Sequence, residues 1–369
     1  MPNHRHLTEF AGLPAIDFPS VEALEFKLLR ARYEAREEGR PEPERLPPDE
    51  GLVAAKAEPG AYAWRLRLES SQGEECFRDQ LDRFIDEIDT TVVTALLIGD
   101  CWNPALAQDD VDGVRDLLVD RAAAFPALTA LFFGEILEQE SGRISWIAPT
   151  DVSPLLAAFP GLSEFVVRGG DVMVFGTADG GKRTYRLAWN TPRHDRLRRL
   201  TLQTHRLDPA VARGVLACEL PALEHLELYL GAEDGDGPSP EDLAPLLTGV
   251  PFPALRSLGL RNAQDTDALV AALADAPLTG RLTALDLSLG TLGDKGAQIL
   301  LDAPVYRGLE HLDLHHHYLS EAMADRLHAH FTAAGVAVDL GDRQELEEWD
   351  DEDDEEEYED ESRYPAIPV

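Results

Sequence analysis

Cysteine is scarce. Three residues, Cys76, Cys101 and Cys218, in a chain of 369 cannot build a disulfide framework, and such sparing use fits a reducing compartment. Long apolar runs are missing too. None approaches the ~18 residues a spanning helix needs, and the opening MPNHRHLTEF has no apolar signal segment. A soluble cytoplasmic protein with no membrane partner is expected. Positive charge is in short supply: 33 Lys and Arg stand against 69 Asp and Glu, for a formal net charge of −36. Such a surface repels phosphate backbones, so no nucleic acid is expected as a partner. A basic protein is favoured instead. Catalytic signatures are absent: no glycine-rich phosphate loop precedes a lysine, and there is no nucleophile elbow or His-Glu-x-x-His. GTADGGK (Gly176 to Lys182) lacks the loop spacing and the following helix, and reads as a hairpin turn. No cofactor is implied, and a non-enzymatic protein is expected.

What is abundant is a leucine-led pattern, apolar-x-x-apolar-x-apolar, which occurs eight times. It opens at Val93, Leu128, Leu162, Leu197, Leu223, Leu255, Leu282 and Leu309, at intervals of 26 to 35 residues. The last apolar pair of each set alternates as a strand does, so both side chains point one way. One such strand cannot bury its face alone, whereas stacked neighbours share a continuous core. FPAL at Phe125, FPGL at Phe159, LPAL at Leu220 and FPAL at Phe252 each precede a strand. Their proline stops the preceding helix.

The pattern resembles the leucine-rich repeat of the longer, helix-containing, ribonuclease-inhibitor-like type, and LDLSLGTLGDKGAQIL (Leu285 to Leu300) is its best match. LLIGDCW and ISWIAPTDVSPLLAAFPGL are similar to an uncharacterised family of cytoplasmic bacterial leucine-rich-repeat proteins. The resemblance implies an α/β fold: a leucine-rich-repeat solenoid, horseshoe or arc, with a parallel concave sheet and a mostly helical convex side. It brings no activity with it. The position where that repeat keeps an inward Asn or Cys reads Cys101, Ile136, Gly170, His205, Gly231, Ala263, Gly290 and His317. No regular polar ladder can run through such turns.

Three regions follow. Residues 1–89 form an amino-terminal cap. In it Phe10 to Phe18 and Ala61 to Glu69 read as paired strands, Arg36 to Gly51 as an exposed Pro/Glu-rich loop, and Glu74 to Asp89 as the first helix. Residues 90–341 hold about eight repeats, interrupted after Gly169 by a hairpin around Ala178 to Gly181 in place of a helix. Helices are expected at Asp110 to Ala124, Asp151 to Ala158, after Asp208-Pro209, and near Pro240 to Leu247, Asp265 to Asp275, Asp294 to Asp302 and Ser320 to Ala334. A short strand at Val336 to Leu340 closes the set. Residues 342–369 are an acidic tail with fifteen acids between Asp342 and Arg363. Burial there cannot offset an ordering cost of about 1–2 kcal/mol per residue, so disorder is expected.

Residues that alternate with the core leucines face the open side of such a sheet. The central column reads Leu97, Phe132, Val166, Thr201, Glu227, Gly259, Asp286, Asp313. The flanks include Arg168, Arg199, Tyr229, Arg261 and His315. An apolar first half and a polar, acidic second half suggest a docking face for a protein partner, unless the amino-terminal segment covers the apolar half. Leu97, Phe132, Val166, Arg168, Arg199, Glu227, Tyr229, Arg261, Asp286, Asp313 and His315 are the candidate contacts. His311, Asp313 and His315, with Asp286 beside them, have ligand chemistry, but a polar strand end accounts for them more simply. The alternative is a metal-dependent or hydrolytic enzyme on the acidic half. Cys101 reads as core. The acidic tail could also compete for Arg168, Arg199 and Arg261.

Overall fold

The computed structural model describes residues 5–69, 75–102, 110–141, 143–176, 181–231, 237–345 and 363–367. They fall into two compact units, 3–191 and 192–369. Both are α/β, with short parallel strands alternating with helices or turns.

The amino-terminal unit begins with a hairpin, β1 (Glu9–Phe10) and β2 (Leu13–Phe18). Its turn residues Ala11 and Gly12 have φ of 52° and 75°, the pair of positive values that a two-residue hairpin turn of matching twist requires. Helices α1 (Val21–Glu37) and α2 (Glu50–Ala57) follow. Ser20 caps α1 by accepting the Ala23 amide, and Asp49 caps α2 by accepting those of Gly51 and Leu52. Then come β3 (Ala63–Leu66), α3 (Phe77–Glu87), β4 (Ala95–Ile98), α4 (Val111–Asp120), β5 (Ala130–Phe133), α5 (Glu138–Ser141), α6 (Ser153–Ala158) and β6 (Glu164–Gly169). Strands β2 to β6 pair in sequence order, all parallel. A separate antiparallel hairpin, β7 (Val172–Gly176) and β8 (Lys182–Arg186), replaces an outer helix as expected. Its turn at 177–180 lies outside the described residues.

In-register rows explain the packing. Ile16, Trp64, Leu96, Leu131 and Phe165 stand side by side on one face. Trp64 meets Phe84 of α3 with ring centroids 5.3 Å apart, and Phe84 also stacks on Phe125 at the end of the next repeat. The ordering reaches further back than the leucine pattern: β2 and β3 belong to the same parallel sheet as β4, although their sequences hide it. The expected pairing of the first two strands is present. The expected exposed loop from Arg36 to Gly51 is present over residues 38–49, and the helices that flank it, α1 and α2, were not revealed by the apolar periodicity.

The carboxy-terminal unit is more regular. It runs β9 (Arg199–Thr204), α7 (Pro209–Ala217), β10 (His225–Tyr229), α8 (Ala244–Leu247), β11 (Ser257–Arg261), α9 (Thr266–Ala274), β12 (Ala284–Asp286), α10 (Asp294–Asp302), β13 (His311–Asp313), α11 (Glu321–Ala334) and β14 (Ala337–Asp339). All six strands pair in order and in parallel, with Leu200, Leu226, Leu258, Leu285, Leu312 and Val338 in one row. The leucines of that row are buried. Asp208 and Pro209 begin α7 as cap and first residue. The turn after β10 needs Gly231, at φ 50°, because a Cβ there would collide with the carbonyl of His205. The next three turns use non-glycine residues at positive φ: Asn262 (56°), Leu289 (64°) and His316 (59°). Among the described residues no helix is long and apolar enough to cross a membrane.

Candidate functional site

The amino-terminal unit does not offer the open apolar face expected of it. Leu97, Phe132 and Val166 form one cluster with Ala63, Ala95 and Ala130, and Phe10 seals it with Leu7, Leu13 and Ala15 against it. The Phe10 and Phe132 rings lie 6.1 Å apart. Leu97, Phe132 and Val166 are therefore interior, because a hairpin presenting Phe10 gains more by covering them than either surface gains in water. Arg168 is buried as well, with its guanidinium 5.2 Å from the Phe132 ring and donating to the Ile136 carbonyl at 2.9 Å. These four residues are not an accessible docking surface.

A charged clamp holds this cover down. Arg65, in the row of Leu97 and Phe132, donates to Glu135 at 2.8 Å, to Asp17 at 2.6 Å and to the Leu7 carbonyl at 2.6 Å. Glu135, almost wholly buried, also accepts from the Leu7 amide, and His6 bridges Glu135 and Glu140 at 2.9 and 3.1 Å. Burial works against charge on His6, yet its hydrogen bonds to the two carboxylates raise its pKa to about 9. Burial likewise pushes Glu140 up, but the bonds from His6 and the Leu137 amide hold it below its ordinary value. Nearby Asp100 is raised to about 6 by burial and by Glu140. The thiol of Cys101 is buried and pushed well up, which suits a core residue rather than a nucleophile.

In the carboxy-terminal unit the corresponding row reads Thr201, Glu227, Gly259, Asp286, Asp313 and Asp339, directly opposed from strand to strand. Four carboxylates thus line one face, with neighbouring strands about 4.8 Å apart. Arg261 lies among the first two. It donates to Glu227 at 3.0 Å and to Ser288 Oγ at 3.0 Å, approaches Asp286 at 3.4 Å, and stacks over Tyr229 at 5.0 Å. Gly259 makes room for this arrangement, since a Cβ there would press on Glu227 Cγ. Burial alone would raise Glu227, but His225 and Arg261 bring it below its usual value. Asp286 is raised, chiefly by burial and further by Asp313, despite Arg261. Negative charge is therefore crowded toward β12 to β14, and Arg261 reaches only the first of these strands, at Asp286.

The sequence-selected residues divide accordingly. Glu227, Tyr229, Arg261, Asp286, Asp313 and His315 are gathered on one face, and Arg199 is exposed on β9. The ligand-type groups converge differently from expectation. His315 Nδ1 meets Asp313 Oδ1 at 2.7 Å, and Asp339, not His311, completes a trio whose ligand atoms lie within 4.8 Å of one another. His317 is interior, bonded to the Leu340 carbonyl. Asp339 escaped notice because its strand carries no leucine. A second omission is α1, where Phe26, Leu29 and Tyr33 share one face and are 68%, 65% and 60% exposed.

No protein-family model and no curated protein matches this chain. Among solved structures, a Bacteroides fragilis protein determined by a structural genomics consortium matches over 88% of this chain and 84% of its own, at 25% identity and a TM-score of 0.66. The chain is similar to it in fold. A TLR13–ssRNA13 complex matches over 69% of this chain and 36% of its own at 13% identity and a TM-score of 0.36, a likeness that carries no argument.

Proposed function

We propose that this chain is a non-catalytic leucine-rich-repeat scaffold that docks a basic segment of a partner protein on the concave face of its carboxy-terminal unit. One observation carries the proposal: Glu227, Asp286, Asp313 and Asp339 stand in register on that face, with Arg261 as the cation bonded among them. A cationic segment laid across the strands would meet carboxylates on three successive strands, β12 to β14, and attraction would steer its approach. Tyr229 is buried under the Arg261 guanidinium and supports it rather than offering a surface, and Arg199 bounds the row on the β9 side. The leucine spacing and the parallel strands support the repeat type, and the net charge supports a basic partner in the cytoplasm. The test replaces Asp286, Asp313 and Asp339 together with Asn and repeats affinity capture from the native host. The expected result is loss of a basic partner whose recovery from the unaltered chain falls with salt; unchanged recovery would remove this face.

A second reading rests on the trio of Asp313, His315 and Asp339. Three such groups suit a divalent cation with an open position for water, which would make the acidic half hydrolytic. Zinc titration by calorimetry should then give one site that His315→Ala abolishes. A flat titration rejects it.

A further inference from the structure

The turns that follow β11, β12 and β13 hold a piece of the chain itself, which bends at Ala366 and Ile367. Residues 363–367, Arg-Tyr-Pro-Ala-Ile, run back across three successive turns. Ile367 exchanges two hydrogen bonds with the side-chain amide of Asn262: its N–H donates to Oδ1 at 2.9 Å and its carbonyl accepts from Nδ2 at 3.2 Å. The Ala366 amide donates to the Leu289 carbonyl at 2.8 Å. The Tyr364 carbonyl accepts from Tyr318 Oη at 2.9 Å and faces His316 Nε2 at 3.3 Å, while its amide donates to Tyr318 at 3.0 Å. Pro365 has no N–H to satisfy. Arg363 reaches Asp267 at 3.3 Å and the Thr291 carbonyl at 3.4 Å, over Gly293.

We infer that these turns form a peptide-recognition groove for segments of the type Arg-aromatic-Pro-x-aliphatic, filled at rest by the chain's own residues 363–367. Three features separate it from simple packing of a terminus. The groove addresses main-chain groups of the peptide, through Asn262, Leu289 and Tyr318. Asn262 and His316 are buried, and with Leu289 between them they take the left-handed backbone at equivalent places in three consecutive repeats. None of residues 363–367 is itself buried, and Tyr364 is half exposed, so the segment is held by hydrogen bonds that water can replace on release. Seventeen residues, thirteen of them acidic, connect Glu345 to Arg363. A spacer of that length gives an effective concentration of about 1 mM, which is high enough to occupy the groove and low enough for a better peptide to compete.

The experiment uses the full chain and a fluorescent peptide of the sequence Ser362 to Val369. Arg363→Glu, Tyr364→Gly and Ile367→Asp together release the tethered segment and leave the groove intact. This released chain should bind the peptide at least about tenfold more tightly than the wild type, whose groove is occupied. Adding Asn262→Gly, which accepts the left-handed backbone but lacks the amide, should weaken binding about tenfold. A released chain with an unchanged thermal melt that binds no better than wild type overturns the inference. Binding by the Asn262→Gly version as tight as that of the released chain also overturns it.

Discussion

Ala11 and His6 show at single residues how the amino-terminal cover is held. Ala11 takes a left-handed conformation, φ 52°, which costs a residue with a Cβ about 1–2 kcal/mol. Ala11→Gly removes most of that cost at the expense of some chain entropy, and should raise stability by about 0.5–1 kcal/mol in urea unfolding. His6 titrates at about 9 in the fold against 6.5 ordinarily. A pKa raised by folding contributes stability that is complete below about 6.5 and fades as pH rises through about 9. The stability difference between wild type and His6→Gln should therefore be large near pH 6 and close to nothing near pH 10. An unchanged difference would show that the bridge to Glu135 and Glu140 does not hold charge.

Helices and strands were unequally legible in the sequence, for physical reasons. Strands β4 to β6 and β9 to β13 announced themselves because each contributes two inward apolar residues. Strand β3 carries Arg65 where its neighbours carry Leu97 and Phe132, and β2 carries Asp17 there, so the pattern breaks where the chain builds its clamp. Helix α1 hid for the opposite reason. It buries only Ala23 and Ala35 and leaves its large apolar side chains in solvent, so no inward stripe exists to be seen. Phe26→Glu with Leu29→Glu should accordingly change unfolding free energy by no more than about 0.5 kcal/mol each, while reducing self-association measured by light scattering. A loss of several kcal/mol would mean that this face is covered. The apolar half of the open face was recognisable from alternation, but its cover was not: the contact between Phe10 and Phe132 joins residues whose local sequences share no motif. Of the tail expected to be disordered, 342–369, residues 346–362 and 368–369 lie outside the described residues. Residues 342–345 depart from the expectation, with the Gln344 amide donating to the His317 carbonyl. Residues 363–367 depart from it, because main-chain hydrogen bonds compensate for their small apolar burial. The tail's Arg363 pairs with Asp267, and Arg261 is already bonded to Glu227, so the expected competition for Arg168, Arg199 and Arg261 finds no support at Arg168 or Arg261.

For the molecule as a whole, a net charge of −36 opposes compaction through self-repulsion. Raising ionic strength from about 10 mM to about 150 mM shortens the screening length from about 30 Å to about 8 Å, and the melting temperature should rise. The triple change of Asp286, Asp313 and Asp339 to Asn should shrink that rise, since like charges in register on adjacent strands are then fewer. Differential scanning fluorimetry across the salt series reads both effects.

The hairpin that seals the amino-terminal unit also sets an order of events during synthesis. Its His6 meets Glu135 at a separation of 129 residues, and Phe10 rests on Val166 and its neighbours. Residues 6–10 leave the ribosome well before these partners and must therefore wait, with Phe10 unburied, until β6 has emerged. At about 5–20 residues per second that interval lasts on the order of ten seconds or more, a window in which a nascent chain can be captured by chaperones or by its neighbours on a polysome.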